Sequence, residues 1–441
     1  MRLNPSEILS RLNASYWFIP LLVTVGGVAA ALGLLFLDTR VSLASDGAFS
    51  VFRPSSAEGA RALLSAVVSA MITATSVTFS VTIVALTVAA QHFGPRVLNN
   101  FVRQTSAQVV LGTFLATFAY AVLVLGAIEG TGRDADVPEL AVSGAVVLVV
   151  LSIGALIYYV HHVSTTLQIG ELAAAIVMDL RTSIEEDGQR AGTTVEGFEE
   201  VPEAPDAAYS VEGLESGYVQ RIDYPRVVEL ASARDAVVWI RREPGAFVLP
   251  GTPLALVHPA AACDDEFARA LRHACIVGRD RTLWHDPEFA VKQLVEMALR
   301  ALSPGVNEPF TAMTCIDRLT EGLACVAKAP PPRVSWADAG GHPRVYVRAQ
   351  AFPTLLRAAF DPIRIFGGPN PAIYARLLES IAELALVADN ENDREPLQKQ
   401  LDLVHGAAAH ALAHPEDRAY VESRYDRALQ QLQGKVELRR N

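Results

Sequence analysis

ALLSAVVSAMITATSVTFSVTIVALTVAAQHFGP, residues 62–95, contains no Asp, Glu, Lys or Arg. A helix rises 1.5 Å per residue, so about 20 apolar residues cross the hydrocarbon core of a bilayer. This run is long enough and reads as a membrane span. Three more uncharged stretches surround it: Leu12–Leu37, Gln104–Ile128 and Leu140–Gly170. They predict four spans, at about 14–37, 62–91, 106–128 and 140–163, within a transmembrane domain of residues 1–170. A fully soluble enzyme is excluded, and so is a bundle of ten or more spans. Pro244–Cys263 is also uncharged, but Pro244, Pro250, Gly251, Pro253 and Pro259 are too dense for a lipid-exposed helix. That segment reads as strand and turn.

The composition agrees with this division. Of 441 residues, 51% are hydrophobic and 19% charged, against about 45–50% and about 25% in soluble domains. Residues 1–165 hold 8 basic and 8 acidic side chains, and the remainder holds 29 and 40, the whole net charge of −11. An acidic soluble part argues against nucleic acid as a partner. Cys263, Cys275, Cys315 and Cys325 show no metal-ligand spacing and read as reduced thiols. No metal or cofactor is implied.

The first span is too long for a signal peptide. Arg2 and Arg11 precede it, and Arg96 and Arg103 join spans two and three without an acid. Glu129, Asp134, Asp136 and Glu139 outnumber Arg133 between spans three and four. The positive-inside rule then predicts both termini inside and a cytoplasmic domain of roughly 270 residues.

The second span is the most informative. At about 100° per residue, Ser65, Ser69, Thr73, Ser76, Ser80, Thr87 and Gln91 fall within a sector of about 80°. Thr75, Thr78 and Thr82 form a shorter row on another side. The stripe has two readings. Ser65, Ser69 and Thr73 have the small-xxx-small spacing of close helix packing, and hydroxyls can bond back to the preceding turn. Alternatively, weakly polar rings around a symmetry axis line a passive pore for an ion or small solute. No acid or base lies inside a span, which disfavours ion-coupled transport. Gly94-Pro95 ends the helix, leaving His92, Arg96 and Arg103 as interfacial residues. His161 and His162 point about 100° apart and make a poor chelate.

SVTFSVTIVALTVAAQHFGPRVLNNFVRQTSAQVVLGTFLATFAYAVLVL, SGYVQRIDYPRVVELA, GAFVLPGTPLALV and GRDRTLWHDPEFAVKQLVEMALRALSPGVNEPFTA together resemble the bacterial membrane-protein family known as domain of unknown function 2254. The resemblance covers essentially the whole chain. It implies membrane location and four spans, and it implies no activity. The family pattern has Asn-Asp-Pro where this chain has Asn307-Glu308-Pro309, a change that keeps the carboxylate on a longer arm.

The expected fold class is an α-helical transmembrane domain plus an α+β cytoplasmic domain with a small β-barrel-like unit and helical hairpins. Residues 171–206 read as a helix and an acidic linker, and 207–262 as the barrel-like subdomain. In the latter, GAFVLPGTPLALV suggests a hairpin. Its glycines resemble those of lipoyl carrier domains in shape, but the turn has no lysine to carry a group. Residues 263–345 and 346–441 read as helical subdomains, the second broken at Gly367-Gly368-Pro369-Asn370-Pro371.

Asp286 before Pro287, and Asn307 or Glu308 before Pro309, read as helix starts near Arg279 and Arg281. That set admits a pocket for a small anionic ligand, or an arginine–carboxylate network joining the two helices. His273, His285 and Asp286 lack the spacing of a hydrolytic set, and no catalytic motif is present. Two functions remain: an oligomeric channel lined by the second span and gated by the cytoplasmic domain, or a membrane-anchored sensor or scaffold whose spans are only an anchor.

Overall fold

The computed structural model describes residues 17–40, 56–93, 105–129, 137–166, 169–189, 201–283, 286–348, 350–388 and 390–440. The chain forms two compact units, Met1–Gln168 and Ile169–Asn441.

Among the described residues, the first unit contains four helices long and apolar enough to cross a membrane: α1 (Phe18–Asp38), α2 (Ala57–Phe93), α3 (Thr105–Gly126) and α4 (Glu139–Thr166). Small residues let α1 and α3 approach closely. A Cβ on Gly27 would lie 2.8 Å from Ala116 Cβ, and one on Gly112 would lie 3.0 Å from Pro20 Cα. Asp38, at the end of α1, accepts the Leu140 and Ala141 amides at the start of α4 (3.0 and 2.9 Å), satisfying two N–H groups that have no partner within the helix. Arg61 near the start of α2 donates to the Ile128 carbonyl beyond α3 (3.0 Å). These ends of the helices are thus tied in pairs by polar groups as well as by the apolar core around Ala57, Ala60, Ile128 and Ala141.

The second unit begins with α5 (Ile169–Gln189). It buries Ala173, Ile176, Val177 and Leu180, the spacing of one helical face. This face packs on α8 (Pro287–Ala301) and α9 (Pro309–Lys328), close enough at Gly322 for an added Cβ to lie 2.8 Å from Leu180. Strands β1 (Tyr209–Glu212), β2 (Gly217–Ile222), β3 (Val237–Ile240), β4 (Phe247–Val248), β5 (Pro253–His258), β6 (Cys275–Gly278), β7 (Ser335–Ala337) and β8 (Pro343–Val347) make two sheets. One has the order β1-β5-β3-β8-β7 and the other β4-β2-β6. Helices α6 (Tyr224–Ser232) and α7 (Asp265–Ala274) share a core with both sheets, including Val211, Val219, Val227, Val248, Leu271 and Val345.

Two expectations are corrected here. The β region is not a closed barrel: among the described residues it is a pair of open sheets, because β2 pairs with β4 and β6 rather than with the strands of the larger sheet. GAFVLPGTPLALV is not a hairpin either. Its Pro-Gly turn forms, with Gly251 at φ +78°, but the flanking runs enter different sheets, β4 beside β2 and β5 between β1 and β3. The larger sheet also recruits β8 in parallel to β3. It therefore draws on residues that read from sequence as helical.

The remaining helices are α10 (Phe352–Phe366), α11 (Pro371–Val387), α12 (Arg394–Ala411) and α13 (Pro415–Arg440). Asn370 caps α11 through the Ala372 amide (3.1 Å), at the Gly-Gly-Pro-Asn-Pro break.

Candidate functional site

In α2, Leu64, Val67, Met71, Thr78 and Ala85 are buried and mark the side that faces the neighbouring helices. Ser65, Ser69, Thr73, Ser76, Ser80 and Thr87 are all exposed. The long hydroxyl stripe therefore points away from the other spans of its own chain. Two of its threonines bond back along the helix, Thr73 to the Ser69 carbonyl (3.0 Å) and Thr87 to that of Ile83 (2.8 Å). Beside the stripe lies a groove of about 480 Å³ lined by Ser69, Ala70, Thr73, Ala74, Val77 and Leu156. Of Gln91 and His92 only the helical backbone is described, and Arg96 and Arg103 lie outside the described residues.

The short row of threonines turns the other way. The Thr82 hydroxyl donates to the Thr78 carbonyl (2.7 Å) and lies 2.6 Å from the Tyr159 hydroxyl on α4. Ser152 on α4 meets Thr117 on α3 at 2.9 Å, and the Tyr120 hydroxyl donates to the Ala141 carbonyl (2.7 Å). These links hold the bundle. Sequence reasoning missed Asp38, Tyr120 and Tyr159 as bundle ties; the signal was a polar atom on an otherwise apolar span.

In the second unit, Asp286 is fully buried and receives Arg281 through both carboxylate oxygens. It also caps α8 by accepting the Phe289 amide (3.1 Å). Arg281 continues to Glu288 (2.8 Å), which also takes Lys292 (2.8 Å). Gly245, at φ +84°, brings the loop between β3 and β4 against this pair. A Cβ there would meet the Asp286 carboxylate and lie 2.7 Å from Arg281 Nε. Burial pushes Asp286 above its usual range although Arg281 pulls the other way. Burial likewise raises Glu243, against the pull of Arg348.

The proposed anion cluster is only partly brought together. Arg281 and Asp286 pair, whereas Arg279, Asn307 and Glu308 are exposed, and Glu308 accepts Thr311 Oγ1 (3.1 Å). The geometry is that of the arginine–carboxylate network, confined to one helix start. His273 Nδ1 lies 2.7 Å from the Arg269 carbonyl on its own helix, and residue 285 lies outside the described residues. Among the described residues no three metal-ligating side chains gather. Burial pushes the Cys275 and Cys315 thiols up to about 12, which keeps them protonated and poor nucleophiles.

Four apolar helices followed by a mixed helix and sheet unit define a polytopic membrane protein. The chain belongs to the family described as "Predicted membrane protein (DUF2254)", whose model matches residues 13–383. It is 30% identical over 423 residues to Uncharacterized protein Mb1321c of Mycobacterium bovis and, equally, to Uncharacterized protein Rv1290c of Mycobacterium tuberculosis. Each alignment covers 94% of this chain and 80% of the relative. No solved structure matches the chain.

Proposed function

We propose that the chain assembles with copies of itself so that the second spans surround a narrow, passive pore in a bacterial inner membrane. Both termini and the second unit lie on the cytoplasmic side in this reading, and that unit gates the pore. The observation that carries it is the exposure of Ser65, Ser69, Thr73, Ser76, Ser80 and Thr87 while the opposite side of α2 is buried. Left against lipid, the hydroxyls of such a stripe bond only back along their own helix, as those of Thr73 and Thr87 do. Against other copies it supplies the small and hydroxyl-bearing surface on which membrane helices associate. One chain offers one such stripe, so a lined pore requires a closed ring. The lack of acids and bases inside the span suits conduction without ion coupling.

The test is conductance of the purified oligomer in planar bilayers, with Ser76→Leu and Ser80→Leu as variants. Both are expected to abolish the current. A wild-type protein that passes no current, or currents indifferent to both changes, overturns the reading.

A further inference from the structure

The turn between α8 and α9 presents an aromatic side chain in a way that a loose loop cannot. Asn307 takes φ +52°, and its amide reaches the Ser303 carbonyl (2.9 Å), while that of Glu308 reaches Ala301 (2.8 Å). Pro309 starts α9, whose next turns bury Ala312, Cys315 and Ile316. Phe310 therefore stands on a helix start whose backbone is fixed by these bonds. It is 81% exposed, more than any other large apolar side chain among the described residues. The exposed Glu308 carboxylate lies two residues before it. A rigid, exposed aromatic side chain beside a charge has the chemistry of an interface anchor.

A surface with the complementary chemistry exists on the same unit. In the β4-β2-β6 sheet, Val219, Ile222, Val248 and Cys275 face the core. The other face carries Tyr218 opposite Phe247, their rings edge to face at 5.0 Å. It also carries Arg221 opposite Ile276. Arg221 and Arg279, which follows β6, are both exposed. The acid next along the chain, Asp280, is exposed as well, its carbonyl taken by Gln220 Nε2 (2.7 Å).

We propose that Phe310 of one copy docks on the Tyr218–Phe247 face of the next, with Glu308 placed at Arg221 and Arg279. The proposal rests on the oligomeric reading above and specifies its contact. The two surfaces differ from each other, and in a ring of copies such a contact repeats head to tail around the axis. An acidic aromatic knob meeting a basic aromatic face supplies the charge complementarity that sets register and partner.

The test uses the full chain in the membranes that express it. A photoreactive benzophenone amino acid replaces Phe310, and illumination is expected to give a covalent dimer whose adduct maps to residues 217–221 or 247–249. Adducts on other residues, on lipid or on another protein, or no adduct, overturn the proposal. In detergent, Glu308→Arg and Arg221→Glu are each expected to weaken self-association about tenfold, and the double reversal to restore it within about threefold. An unchanged melting temperature certifies that each variant is folded. Single reversals without effect, or a double reversal no better than the worse single, overturn the contact. An intact, conducting oligomer with those results spares the pore reading; a wild-type monomer overturns both.

Discussion

The Asp286 carboxylate is fully buried, and replacing Arg281 by Ala leaves it one of its described bonds, that from the Phe289 amide. Removing one partner of a buried pair costs about 3–5 kcal/mol, mostly through the charge left behind. Little is recovered from Glu288, which keeps Lys292 at 2.8 Å. Asp286→Asn is expected to cost less, about 1.5–3 kcal/mol, because the cap can persist and Arg281 retains Glu288 at 2.8 Å. Urea-dependent pulse proteolysis of the full chain in detergent reads the opening of the second unit. With a slope of about 3 kcal/mol per molar urea, Arg281→Ala should lower the midpoint by about 1 M or more, and Asp286→Asn by clearly less. The pH dependence has a defined sign. Burial already holds Asp286 above its ordinary range, and losing Arg281 raises it further. A carboxyl raised in the folded state favours folding at low pH, and that advantage is lost as pH rises through the folded value. The deficit of Arg281→Ala should therefore widen from acid toward neutral pH. A midpoint within about 0.3 M of wild type at neutral pH, about a fifth to a third of the expected shift, refutes the reasoning.

Gly144→Ala should lower the melting temperature in detergent, because its Cβ would meet the Tyr120 hydroxyl and lie 3.0 Å from Leu34 Cδ1; overpacking of this kind costs about 1–3 kcal/mol. Gly154→Ala on the same helix meets nothing within 4 Å and should leave the melting temperature unchanged. Asp38→Ala removes the cap on α4 and should cost about 0.5–2 kcal/mol, with Asp38→Asn milder in the same melt. Arg344 and the His342 and Gly340 amides hold Asp338 at about 2. Its support of the β7–β8 turn is thus present above the ordinary carboxylate value and lost as pH falls through about 2. Pepsin should cut that turn in wild type only near the lower limit, and in Asp338→Asn already near pH 4, the ordinary carboxylate range.

How far the sequence could be read depended on whether the deciding force was local. Four uncharged runs are enough to indicate spans, because the bilayer thickness sets the length each must reach. Which side of a span faces its neighbours is a different matter. In water the apolar side of a helix turns inward, but lipid is as apolar as a protein core, so periodicity carries no inward or outward sign. In α2 the shorter threonine row faces the bundle, where Thr78 is buried and Thr82 meets Tyr159. The longer stripe, which dominates the helical wheel, is exposed. What distinguishes the two is packing against distant helices, such as the partner tyrosine on α4, 77 residues away in sequence.

The same limit explains the soluble unit. Asp286-Pro287 and Glu308-Pro309 are equivalent signals, an acid before a helix-starting proline, and both begin helices as read. Their surroundings then diverge. Asp286 meets Arg281, and Gly245, at φ +84°, lets the β3–β4 loop close over the pair until the carboxylate is fully buried. A side chain on residue 245 would occupy that space, so the burial of Asp286 is decided by a glycine 41 positions away. Among the described residues no loop covers Glu308, which remains exposed with Phe310. Two identical local signals thus become a buried clamp and an outward knob. The choice between them lies in the strand pairing that carries Gly245 to Asp286, and strand pairing is what adjacent sequence encodes least: β4 and β5 flank one turn, yet they join different sheets.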